Sequence, residues 1–250
     1  PCRTPTMRTP IMIEDIVTPQ PGLKVYPSDT DVFAEPDAAL ARHLHPLVSI
    51  DLATVDPSWQ GWVHLLSPVE PYDGLVGQDT AAYHNDYLRA NWIGFRLDEN
   101  NRYTLLGDRR YFYLENPPDP RDAGYRKELE AHYAEQQASI EAARKRFAEY
   151  GVLYSSNQYA PDERDFSQEQ PCNLVDQLGG SVGWGNWSGT SDFPVDDSDP
   201  EDIRPIGPDG ARFRFVAGVT GWEYRAAGAD WILLFYEPVS RVALLTFDWS

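Results

Sequence analysis

Three apolar runs close the chain, Phe213–Val219, Trp231–Tyr236 and Val242–Phe247, separated by glycine-rich or polar turns. Each has the length of a strand and is rich in aromatic or branched residues, which predicts three strands of one sheet. The middle run has six apolar residues without a polar interruption, so it is expected in the interior of that sheet with both faces covered. Upstream, Pro36–Leu44 reads as a short helix with Leu40 and Leu44 on one face, and Leu47–Leu52, Trp62–Leu66 and Trp92–Leu97 read as strands. Tyr103–Leu106 and Arg110–Leu114 flank Gly107-Asp108, which predicts a hairpin.

The strongest single signal is helical and runs from about Asp119 to Tyr150. Asp119 is placed to cap it, Pro120 suits its first position, and Gly151 ends it. Leu129, Tyr133, Gln136, Ile140, Ala143, Phe147 and Tyr150 recur at steps of four and three and form one apolar stripe, while Glu130, Glu135, Glu141, Arg144, Lys145 and Glu149 take the other faces. A stripe of this kind docks on a sheet. Gln136 and Ala143 make a poor coiled-coil seam, so a scaffold that pairs through Tyr133 and Phe147 is the weaker reading. After the helix, Val152–Tyr154 is expected to leave as a strand, 157–171 as a loop, Asn173–Leu178 as a short apolar element, and 179–189 as a Gly- and Trp-rich connection.

The prolines at 5, 10, 19, 21 and 27 block both helix continuation and sheet pairing, so residues 1–30 are expected as an extended arm. The remainder, 31–250, is expected as one α+β domain: an N-terminal part to 118, the long helix over 119–151, and a C-terminal sheet part from 152. The fold class is thus α+β, mainly antiparallel sheet with one long helix packed against it. No run approaches the roughly 20 apolar residues that span a bilayer, and the first thirty residues hold no leader-like apolar stretch. Together with two cysteines, too few for a disulfide framework, this predicts a soluble, cytoplasmic protein.

Charge alters the functional picture most. Thirty-nine acids against 21 bases give a formal charge of −18, a field that repels phosphate backbones and draws in basic proteins. Nucleic acid is therefore an unsuitable ligand. The acids peak at Asp192, Asp196, Asp197, Asp199, Glu201 and Asp202, six in eleven residues, without the glycine and terminal glutamate of a calcium loop. The bland reading is a solvated loop. The sharper one is a docking surface for a basic partner, with Trp184 and Trp187 as aromatic anchors.

Catalytic signatures are missing from the sequence. His43 and His45, with His84 and His132 elsewhere, lack any zinc-site spacing and read as surface or capping residues. Gly185-Asn186-Trp187-Ser188-Gly189 misses the serine-nucleophile elbow by one position, and Gly183, Gly185 and Gly189 fail the dinucleotide fingerprint because Trp187 stands where backbone should meet phosphate. Neither Cys2 nor Cys172 has the neighbouring base that makes a thiolate. No metal or cofactor is expected.

Gln177-Leu178-Gly179-Gly180, then Phe215-Val216-Ala217-Gly218-Val219-Thr220-Gly221, Trp231–Tyr236 and the closing Leu245-Thr246-Phe247-Asp248-Trp249 resemble the C-terminal half of the YwqG-like family of bacterial proteins over about residues 174–250. Ser181 stands where that family often has a proline after the paired glycines. The resemblance implies a mixed α+β domain with much antiparallel sheet and no established catalytic residues, in families met beside secreted bacterial toxins. The combined expectation is a cytoplasmic immunity protein (antitoxin), a monomer or 1:1 complex. It binds a cognate toxin, a basic nuclease, and blocks the toxin's active site or substrate groove. The competing expectation is a small-molecule enzyme or ligand-binding protein whose pocket is lined by Trp184, Trp187, Trp222 and Trp231.

Overall fold

The computed structural model describes residues 16–156, 164–189 and 192–249. The chain begins with strand β1 (Leu23–Val25), a short helix α1 (Asp29–Val32), a 3-10 segment over Glu35–Arg42, and strands β2 (Leu44–Asp51), β3 (Trp62–Pro68), β4 (Leu88–Arg89), β5 (Trp92–Leu97) and β6 (Tyr103–Leu105). The long helix α2 (Ala123–Tyr150) follows, and after it β7 (Gln177–Leu178), α3 (Asn186–Gly189), β8 (Val195–Asp196), β9 (Arg204–Pro205), β10 (Arg214–Val219), α4 (Gly221–Tyr224), β11 (Trp231–Glu237) and β12 (Val242–Asp248).

The strands form a sheet of order β1-β2-β3, a seven-stranded sheet of order β4-β5-β12-β11-β10-β7 with β6 also on β5, and the β8-β9 ribbon. Every strand pairing is antiparallel. The architecture is α+β, mostly antiparallel with one long helix, as the pattern predicts. Strand β11 lies between β10 and β12, and alternation along it explains why its apolar run is unbroken. Ile232, Leu234 and Tyr236 face the main core with the three-stranded sheet, whereas Leu233 and Phe235 face a second core of Val182, Trp187, Phe193, Ile203 and Phe213. The main core draws residues from Leu23 to Phe247, so both halves of the chain share it. In the N-terminal region Leu23–Val25 pairs with Val48–Ile50, which corrects the reading of 1–30 as an arm for that stretch; residues 1–15 of the arm lie outside the described residues.

Helix α2 is preceded by a 3-10 turn over Pro120–Asp122 in which Asp119 accepts a hydrogen bond from the Arg121 N–H at 2.9 Å. It ends on Gly151 at φ 73°, a left-handed position suited to glycine, whose N–H bonds Phe147 O. Leu129, Tyr133, Gln136, Ile140 and Ala143 are buried as the stripe requires, while Tyr150 at its end is exposed. Ile140 enters the main core, and Leu129 and Tyr133 pack on Val69 and Leu114. Because the stripe is spent inside its own chain, the pairing-scaffold reading loses its interface. Tyr133→Phe is expected to lower the unfolding free energy by about 1–3 kcal/mol, the cost of leaving the buried His43 Nδ1 unpaired, and to leave the oligomeric mass unchanged. Light scattering beside a urea titration checks both.

Two local expectations are corrected. The 103–114 hairpin does not form: β6 pairs β5, its Tyr103 bridges Phe33, and Asp108 accepts the Arg110 N–H so that Arg109–Tyr111 and Tyr113–Glu115 turn as 3-10 segments. Those turns bury Tyr111, Phe112 and Leu114, which a second hairpin strand would have split between two faces. Val152–Tyr154 is not a strand either, although Leu153 O accepts the Cys172 N–H.

Candidate functional site

The sequence-predicted surface comes apart into buried and exposed pieces. Trp187 lies on α3, a single turn whose burial sends the indole inward, 1% exposed, against Trp92 and Phe235 at centroid distances of 5.9 and 5.4 Å. It is a core residue, which corrects its assignment as an anchor. Trp184 is 53% exposed. The backbone beside it runs along the acidic loop: Ile203 N–H bonds Val182 O at 2.8 Å, and a Cβ on Gly183 would stand 3.0 Å from Pro200 O. Trp184 therefore stands next to the Asp199–Glu201 turn.

The six acids also divide. Asp196 pairs with Arg212 at 2.7 Å, Asp202 with Arg204 at 2.8 Å, and Asp192 lies 3.7 Å from Arg89. Hydrogen bonds from Ser198, with Arg212 adding to them, hold the Asp196 carboxyl below its usual range. These contacts pin the β8-β9 ribbon, whose turn leaves Asp197, Asp199 and Glu201 exposed and, among the described residues, without an ion pair. What faces solvent is three carboxylates without an ion pair among the described residues, Asp199 also accepting the Glu201 N–H at 3.0 Å, on a turn whose Pro200 meets the backbone next to Trp184. Of the four tryptophans expected to line a pocket, Trp187 lies in the second core, Trp231 packs beside Phe215 with its indole over Gly218, Trp184 is exposed and Trp222 is half-buried on α4.

A second polar assembly, absent from the sequence reading, lies under α2. His43 is fully buried, stacked on Phe112 at 4.6 Å, with Nδ1 2.7 Å from the Tyr133 hydroxyl and Nε2 2.9 Å from Glu115 Oε1. Tyr133 in turn lies against Glu70, whose carboxyl oxygens accept the Tyr113 N–H at 2.8 and 3.0 Å. Burial pushes Glu70 up to about 8, and it lowers His43 against the pull of Glu115. With His43 kept neutral by burial, its Nε2–H donates to Glu115 and its Nδ1 accepts from the Tyr133 hydroxyl. Beside this chain Arg225 is fully buried, donating to Pro68 O at 2.8 Å and lying 3.3 Å from His45 Nδ1, and burial draws it down to about 9.

This assembly joins 43, 70, 115 and 133, positions no local pattern connects, and it pins α2 to the body. A groove of about 490 Å³ passes Tyr133 between Arg42, Glu130 and Gln137. The Tyr133 hydroxyl is already committed to His43, so the groove is not offered the acid–base atoms. The reading of the histidines as surface or capping residues is corrected: His43, His45 and His64 are buried, and burial holds His45 down to about 3 and His64 to about 4. His132 bonds Val69 O and His84 bonds Gly77 O. Among the described residues no group of three or more His, Cys, Asp or Glu is arranged to hold a metal ion, and no helix is long and apolar enough to cross a membrane. The Cys172 thiol is pushed up to about 12, by burial first and then by Glu223, far from a nucleophile's range.

In comparisons with known proteins, no family model, no curated protein and no solved structure matches the chain. The motifs on which the expected YwqG-like likeness rests fall on β7, β10, β11 and β12, neighbours in one sheet.

Proposed function

We propose that this protein is an immunity protein that binds a basic bacterial toxin, a nuclease, and covers its substrate groove with the acidic ribbon and Trp184. The observation that carries the reading is the exposed Trp184, next to a glycine whose backbone meets Pro200, with Asp197, Asp199 and Glu201 exposed on a ribbon turn fixed by ion pairs. A pre-ordered set of carboxylates loses little entropy on docking and competes for the cationic groove that a nuclease uses for phosphates. The net charge of −18 supports the same partner by speeding encounter. The resemblance of the C-terminal motifs to a family met beside secreted bacterial toxins adds the setting, and a cytoplasmic site of action is part of the same proposal.

The test mixes the protein with the product of a toxin gene next to its own and follows complex formation and nuclease activity. Trp184→Ala is expected to weaken binding about 10- to 30-fold through faster dissociation, as an interface anchor does. Replacing Asp197, Asp199 and Glu201 together with serine is expected to slow association about tenfold at low salt and to flatten its salt dependence. Unchanged rates in both variants remove this face from the interface.

A further inference from the structure

A cleft of about 500 Å³ opens beside the β11-β12 hairpin, within the size range of small-molecule sites. Its floor is the exposed edge of two nearly buried rings, Trp59 at 6% and Tyr236 at 3% exposure, which meet edge to face at 5.4 Å; Arg214 covers one face of Trp59 at 4.6 Å while paired to Asp56 at 2.7 Å. One wall is Arg241. Its guanidinium donates to Asp98 O at 2.7 Å and to Asn101 Oδ1 at 3.3 Å, and it also bonds the Tyr236 hydroxyl. All three acceptors are neutral groups, and among the described residues no carboxylate stands within ion-pair distance of Arg241. In a chain with 39 acids, a guanidinium oriented by neutral acceptors and left without a carboxylate is an unused anion receptor.

The surroundings hold that receptor in place. Glu237 accepts the Val239 and Ser240 N–H groups at 3.0 and 2.6 Å and so fixes the turn that presents Arg241, which adopts φ 55°. Gly61, at φ 102°, lies so close to Asn101 Oδ1 that a Cβ would collide with it, so the glycine lets Asn101 reach Arg241. Glu99 stands on the rim of the same cleft. A single rim carboxylate and a strongly negative protein tolerate one anionic group on a ligand but disfavour a phosphate carrying nearly two charges.

We propose that the cleft between Trp59, Tyr236 and Arg241 binds a small monocarboxylate with a flat apolar body, its carboxylate on Arg241 and its body over the aromatic floor. The site shares no residue with the Trp184 face, so it stands whether or not the toxin reading does. The test is calorimetric titration of the full-length protein with indole-3-carboxylate and benzoate, with neutral indole and inorganic phosphate as the other arms. Both carboxylates are expected to bind, at least tenfold more tightly than indole or phosphate.

Arg241→Gln is expected to cut carboxylate binding at least tenfold. Glu99→Gln, which leaves the hydrogen bonds of Arg241 intact, is expected to tighten it about two- to threefold, and it keeps the proposal testable if Arg241→Gln fails to fold. Absence of carboxylate binding overturns the proposal. So does binding that indole or phosphate matches, or binding that Arg241→Gln in a folded protein and Glu99→Gln both leave unchanged.

Discussion

Trp187→Ala is expected to lower the unfolding free energy by about 3–5 kcal/mol, the usual cost of truncating a fully buried large aromatic, whereas Trp184→Ala is expected to change it by no more than about 0.5 kcal/mol. The two tryptophans are three residues apart and alike in sequence context, so the contrast isolates burial. Trp187 fills the space between Trp92 and Phe235 on the outer face of the large sheet, and its ring has no route to solvent at 1% exposure. The backbone of α3 is also tethered to the C-terminal strand, through Asn186 Nδ2–H to Trp249 O at 3.1 Å and the Trp187 N–H to Asp248 at 3.4 Å. The wall can therefore collapse only partly into a cavity left by alanine, and lost dispersion adds to lost transfer energy. Guanidinium melts of the two variants, with near-ultraviolet circular dichroism to follow the aromatic core, decide the point. Equal losses in both would sink the assignment of Trp187 to the core. A stable Trp187→Ala that has lost only partner binding would restore it as an anchor.

The same pair shows where reading the chain alone stops. The sheet was legible because its strands carry their burial as period-two or continuous apolar runs; β11 is the clearest, covered on both faces and flanked by β10 and β12. The long helix was legible for the corresponding reason, a stripe bounded by Asp119-Pro120 and Gly151. Arg110–Leu114 misled because alternating aromatics satisfy a strand template, while the deciding contact, Asp108 on the Arg110 N–H, is a local cap that competes with pairing. A four-residue turn such as α3 has no period at all, so nothing in Asn186–Gly189 tells which way Trp187 points. The six-acid run was visible, but its division into ion-paired Asp196 and Asp202 and solvent-facing Asp197, Asp199 and Glu201 depends on where Arg204 and Arg212 fall around the ribbon. The Glu70–Tyr133–His43–Glu115 chain was invisible because its members are brought together only by docking of α2.

That buried chain makes stability fall on the alkaline side. Glu70 is raised from 4.5 to about 8 in the folded protein, chiefly by burial, so between these values the folded state keeps a proton that the unfolded state has given up. Stability from this group is complete below about pH 4.5 and is lost as pH rises toward 8, at about 1.4 kcal/mol per pH unit. The groups that act on it are Arg42 from the first 3-10 segment, Tyr113 and Glu115 from the turn before α2, and Tyr133 from α2 itself, while the Tyr111 and Tyr125 hydroxyls, raised first by burial, are in turn pushed up by it. Arg42 and the contacts from Tyr133 and Tyr113 pull Glu70 down, Glu115 pushes it up, and burial outweighs them. The buried histidines act on the other side: His45 and His64, lowered to about 3 and about 4, contribute stability that is present above 6.5 and lost as pH falls through those values. Above pH 6.5 their contribution is flat.

Glu70→Gln separates the effect from every other titration. The amide stays neutral and keeps an acceptor for the Tyr113 N–H, so at pH 6.5 its stability should lie within about 1 kcal/mol of the parent. Between pH 6.5 and 8 the parent is expected to lose about 2 kcal/mol more than the variant, read as a gap opening between urea midpoints at constant slope. Glu223, raised to about 7 by burial, titrates in the same window but in both proteins, and so drops out of the difference. Parallel decline of the two midpoints would mean that Glu70 is already ionised at pH 6.5 and that burial does not hold its proton.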